Sequence, residues 1–158
     1  MKNGYTLIEI LIVVVIISIT TAFAVLAFGD FGSSRRLLLS AEQFTSYLSL
    51  IQQQAILENK PFGLTIEKNA YQAYRFNAQT TWQILSQPSV FHKQFFPSTA
   101  IVTLDASTPP QTTPQIIVLS SGDLTPFSLR LSTAKKEPIA TIRGYFDGRI
   151  TLIREKKA

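Results

Sequence analysis

The chain has 158 residues and a formal net charge of +5, with no cysteine and a single histidine, His92. That length allows one globular domain beside any membrane segment. Without cysteine there is no disulfide framework or thiolate metal site, and one histidine is too few for a His-based zinc site, so neither a metal nor another cofactor is expected.

Residues 5–28 are 24 residues with one charged side chain, Glu9. As a helix rising about 1.5 Å per residue they reach about 36 Å, enough to cross a hydrocarbon core about 30 Å thick. A cleaved secretory signal is the competing reading, with an apolar region of about 7–15 residues ending in a small-x-small site. Here the run is longer, and Thr20-Thr21-Ala22 in its middle is a poor site. The span reads as retained. Inside it Glu9 costs about 2.5–3.5 kcal/mol and has no partner within the segment. It stays protonated, reaches the headgroups from one turn inside the run, or meets a cation from another molecule. Lys2 on one side and Arg35-Arg36 on the other leave the orientation unset by charge.

Residues 29–60 form the next element. Gly29 and Gly32 mark a hinge, since a glycine inside a helix costs about 1 kcal/mol. Leu37, Ala41, Phe44, Leu48, Ile51 and Ala55 then recur at alternating steps of four and three, which predicts one apolar face of an amphipathic helix. Asn59-Lys60-Pro61 is its stop. Leu39, Leu50 and Leu57 fall on the opposite face among Ser46 and Gln53. They are either ordinary surface leucines or a second packing face used against neighbouring helices.

From Pro61 on, short apolar runs alternate with turn formers. Strands are predicted at 62–67, 70–76, 82–85, 101–104, 116–119, 127–131, 139–145 and 149–153. Hairpin turns are expected at Lys68-Asn69 and at Asp147-Gly148, the latter joining the last two strands. Residues 107–114, with three prolines, read as a surface loop. Consecutive strands without crossover helices imply antiparallel pairing. The fold class is α+β: a long N-terminal helix whose second half packs on a mainly antiparallel β-sheet domain at 61–158.

The charge sits at the end. Residues 1–128 carry seven basic and seven acidic side chains, whereas 129–158 carry eight basic and three acidic ones. Arg143, Arg149, Arg154, Lys156 and Lys157 are therefore candidates for contact with an anion: a phospholipid surface, an acidic protein face or nucleic acid. A solvated tail fits the same composition. The sequence contains no phosphate-binding glycine loop, nucleophile elbow or HExxH helix, and Asp30-Phe31-Gly32 is a kinase-like triplet without the other kinase parts. Asp105, Asp123 and Asp147 lack calcium-loop spacing. Trp82, Tyr71 and Tyr74 read as core or hairpin packing, and His92 as a strand or loop residue. No enzyme is expected.

Gly4-Tyr5-Thr6-Leu7-Ile8-Glu9, after a short leader with Lys2 and before the apolar run, resembles the prepilin peptidase signature of the type IV pilin-like superfamily. The resemblance implies removal of the leader, 1–4, by that peptidase, methylation of the new Tyr5 amine, and a pairing of Glu9 with the N-terminal ammonium of a neighbouring subunit. Tyr5 stands where phenylalanine is usual. Residues 31–65, Ser120-Ser121-Gly122-Asp123-Leu124-Thr125-Pro126-Phe127, and the ending around Asp147-Gly148-Arg149 resemble the H-type minor pseudopilin of the type II secretion system. What this implies is a subunit of a periplasmic pseudopilus that supports export of folded proteins across the outer membrane. It implies a single-pass anchor in inner membrane lipid with the β domain in the periplasm. The implied partners are the major pseudopilin, other minor pseudopilins, the inner-membrane assembly platform and the secreted exoproteins. The alternative is a minor type IV pilin, acting in pilus assembly or in DNA uptake, with nucleic acid on the basic C-terminal stretch.

Overall fold

The computed structural model describes residues 6–85, 90–107, 114–134 and 136–155, with the backbone alone for 26–31. Helix α1 (Leu7–Glu58) begins in the first of two compact units, Met1–Ser34, and ends in the second, Arg35–Ala158.

In the first unit Leu7–Val25 forms a helix long and apolar enough to cross a membrane. Thr6 caps it: the Glu9 amide donates to the Thr6 carbonyl at 3.0 Å and to its Oγ1 at 3.4 Å. This is one half of a capping box, with an acidic side chain in the positively polarised first turn.

In the second unit the predicted helix face is the face that is buried. Leu37, Ala41, Phe44, Leu48, Ile51 and Ala55 are each 0% exposed. The helix ends in a Schellman motif: the Lys60 amide donates to the Ala55 carbonyl and the Asn59 amide to that of Ile56, while Asn59 takes a left-handed φ of 50°. Asn tolerates that conformation, and Pro61 cannot continue the helix.

Nine strands follow: β1 (Phe62–Glu67), β2 (Ala70–Phe76), β3 (Trp82–Ile84), β4 (Gln94–Phe95), β5 (Ile101–Ala106), β6 (Ile116–Val118), β7 (Phe127–Ser132), β8 (Pro138–Gly144) and β9 (Ile150–Arg154). As expected every pair is antiparallel, and the strands divide into two sheets. Sheet A has the order β3-β2-β1-β6, with β4 also on β2, and sheet B the order β5-β7-β8-β9. The exchange comes from non-local pairing, with β6 returning to β1 while β5 joins β7. Strand β4 was not foreseen, since two residues carry no alternation to read. The loop at 107–114 lies, except for its two ends, outside the described residues.

Both expected hairpins form. Lys68 turns the first with φ 49°. In the second, the Gly148 amide donates to the Tyr145 carbonyl at 3.0 Å and that of Tyr145 to Arg149 at 2.9 Å, with Gly148 at φ 81°. Alternate residues of both sheets turn inward onto Phe44, Leu48 and Ile51. Tyr71 belongs to that core, its ring edge-on to Phe44 at 5.1 Å. Trp82 lies on the other face of sheet A, 5.0 Å from Phe76. There the Pro114 ring covers Gly63, where a Cβ would collide with it.

Candidate assembly surfaces

Gly4 and Tyr5 lie outside the described residues. Glu9 is exposed on the first turn of α1 and makes no ion pair among the described residues. The other polar side chains of Leu7–Val25 satisfy themselves within the helix: Ser18 donates to the Val14 carbonyl at 2.8 Å, Thr20 to Ile16 at 2.9 Å and Thr21 to Ile17 at 2.7 Å. Such back-bonding makes hydroxyls tolerable in lipid. Among the described residues no side chain donates a hydrogen bond to the Glu9 carboxylate.

Along the outward side of α1, Leu39, Leu50 and Leu57 are 49%, 45% and 80% exposed. Gln43, Ser46 and Gln53 are exposed between them, giving a stripe that alternates apolar and amide or hydroxyl groups.

The cations singled out at the C-terminal end divide between two faces of sheet B. Register places Arg143 opposite Ser128 and Thr151, on the face turned away from the core. Arg149 shares it, with its guanidinium 5.0 Å from the centre of the Tyr145 ring and Nε 2.7 Å from Asp147. The hydrogen bond from Arg149 holds the Asp147 carboxyl below its ordinary value. Arg154 points to the opposite face, where Ile150 and Leu152 pack on the core, and its Nη2 lies 2.7 Å from Glu42 on α1. Lys156 and Lys157 are outside the described residues. Arg130, opposite Thr141, belongs with Arg143 and was not singled out, because only the strand register brings it there.

A further junction was invisible in the sequence. The Gln52 amide nitrogen donates to the Gly122 carbonyl at 2.8 Å and the Gly148 carbonyl at 2.7 Å. It joins the helix to the loop at Ser120-Ser121-Gly122-Asp123 and to the last hairpin. Tyr47 makes a second tie, its hydroxyl donating to the Phe91 carbonyl at 3.0 Å. Burial, with Tyr71 beside it, raises the Tyr47 phenol well above the ordinary tyrosine range; burial pushes Tyr71 up to about 12.

Residues 40–148 match the family model described as type II transport protein GspH, and residues 1–25 match the prokaryotic N-terminal methylation motif. The chain is 34% identical over 147 residues to type II secretion system protein H of Pseudomonas aeruginosa, covering 83% of each. The fold is that of the minor pseudopilin EpsH of Vibrio cholerae, with TM-score 0.68 at 20% identity over 77% of this chain and 98% of that one. The type IV minor pilin FimU of P. aeruginosa shares it at TM-score 0.56 and 13% identity, over 78% of this chain and 92% of that one. The fold alone therefore does not separate secretion from pilus.

Proposed function

The chain belongs to the GspH family of type II transport proteins, and from that premise we propose how it acts as a minor pseudopilin of the type II secretion system. Prepilin peptidase removes residues 1–4 after Gly4, and the exposed Tyr5 amine is methylated. The apolar start of α1 anchors the subunit once in the inner membrane, with the sheets in the periplasm. The assembly platform and the major pseudopilin then take it into a short fibre with the other minor pseudopilins, and that fibre helps move folded exoproteins outward.

Glu9 is the single observation on which this reading rests. It is the one charge in an apolar run whose hydroxyls are all satisfied internally. An ionised carboxylate inside lipid is costly without a partner, and the N-terminal ammonium of a neighbouring subunit supplies one. Leu39, Leu50 and Leu57 then pack against neighbouring helices. Two variants test it in cells carrying the whole secretion system. Glu9→Ala inserts normally but no longer crosslinks to neighbouring subunits, and unchanged crosslinking would overturn the pairing. Gly4→Leu keeps its leader; normal processing would count against peptidase recognition.

A further inference from the structure

On the outer face of sheet B two arginines stand without an ion pair among the described residues. Arg130 on β7 stands opposite Thr141, and Arg143 on β8 stands opposite Ser128, so the two arginines are diagonal neighbours on adjoining central strands. Such neighbours lie about 7–8 Å apart. Both are exposed, and neither makes an ion pair or a side-chain hydrogen bond among the described residues. Four other cations of the domain are engaged, Arg75 with Glu58, Lys93 with Glu67, Arg149 with Asp147 and Arg154 with Glu42, whereas Lys60, Lys68 and Lys136 make no ion pair among the described residues.

Carboxylates flank the pair on both sides. Asp105 on the edge strand β5 lies opposite Ser128. Glu155, just past the other edge strand β9, accepts a hydrogen bond from Thr141 at 3.1 Å. The face is thus a narrow basic centre between acidic margins. A membrane surface or a nucleic-acid duplex would lay its phosphates against Asp105 and Glu155 as well as against the arginines. One extended chain laid from Arg130 to Arg143 stays over the central strands β7 and β8 and crosses neither acidic margin. Beside Arg143 an open groove of about 340 Å³ runs past Pro126, Phe127, Ser128 and Tyr145, with Asp105 and Ser107 on its far side.

We propose that the outer face of sheet B docks an extended segment of a partner protein carrying two carboxylates two residues apart, one for Arg130 and one for Arg143. Alternate residues of an extended chain point the same way and sit about 6.6–6.8 Å apart, close to the spacing of the two arginines. The planar guanidinium fork suits a carboxylate, and the arginines enter the contact without first breaking an internal ion pair. The proposal does not depend on the Glu9 pairing, which is read out separately by crosslinking at the helices.

The test uses the full chain in cells with the complete secretion system. Thr103→p-benzoylphenylalanine places a photocrosslinker beside Arg130, which it faces across β5 and β7. The expected product is an adduct to a protein, mapping to a segment with two Asp or Glu residues separated by one. Arg130→Gln together with Arg143→Gln lowers its yield about tenfold or more, and Lys at both positions keeps a larger share. The thermal midpoint of the Gln pair should not move, since the arginines hold nothing internally. Failure to form an adduct, an adduct to nucleic acid or lipid, a mapped segment without the acid pair, or a yield indifferent to the substitutions would each overturn the proposal.

Discussion

The side-chain amide of Gln52 donates to the Gly148 carbonyl at 2.7 Å, joining residues 96 positions apart. The same nitrogen serves Gly122, so one side chain fixes the helix, the loop between the sheets and the final hairpin. Gln52→Ala leaves two carbonyls without that donor and should cost about 2–3 kcal/mol in chemical denaturation. Gln52→Glu should cost more at neutral pH, because a carboxylate would face two carbonyl oxygens.

The glycines at this junction should respond unequally. Gly148 has φ 81°, and a Cβ there would stand 2.5 Å from the Gly122 carbonyl oxygen and 2.9 Å from Gln52 Nε2. Gly122 has φ 91°, but its Cβ would meet only the flexible end of Ile56 at 3.2 Å. Left-handed strain is common to both, at about 1–3 kcal/mol. Gly148→Ala should therefore lower the unfolding free energy by more than Gly122→Ala, and equal losses would refute the crowding argument.

Neighbouring leucines on α1 separate folding from assembly. Leu48 is fully buried, and Leu48→Ala should destabilise the domain by about 2–5 kcal/mol. Leu50 is 45% exposed, and Leu50→Ala should change stability by no more than about 0.5 kcal/mol. If the outward stripe packs against neighbouring helices, Leu50→Ala reduces incorporation into the fibre while its melting curve stays in place. Full incorporation would return Leu39, Leu50 and Leu57 to ordinary surface residues.

Alkaline titration should expose the buried phenols. An unfolded tyrosine ionises near pH 10. Tyr71 is pushed up to about 12 and Tyr47 is also raised, so the neutral forms are the ones the fold favours. That contribution is complete below about pH 10 and is lost as the pH rises through about 12. Tyrosinate absorbance from these two rings should appear together with loss of helical circular dichroism. Tyr71→Phe should move that transition to higher pH.

The Arg154–Glu42 pair, though 2.7 Å long, is 67% and 39% exposed at its two side chains. A double-mutant cycle should give a coupling below about 1 kcal/mol that shrinks further in salt.

Much of this molecule was legible in its sequence, for one physical reason: where a short stretch decides, residue spacing is enough. The period from Leu37 to Ala55 marked the buried helix face because a helix repeats every 3.6 residues whatever it packs against. Strands β1 and β2 appeared with their boundaries, and the turn at Asp147-Gly148 appeared because glycine accepts a left-handed φ. The charge of Glu9 in an apolar run was plain, as lipid imposes the same cost on any such residue. The tertiary structure decided what depends on partners far along the chain. Whether the strands form one sheet or two turned on the pairing of β6 with β1. A basic stretch that looked continuous was split by strand register, with Arg143 and Arg149 on one face and Arg154 on the other. Arg130 joined the first group from outside the motif. Gln52, one glutamine among several on α1, became a junction only when two glycine turns folded over it.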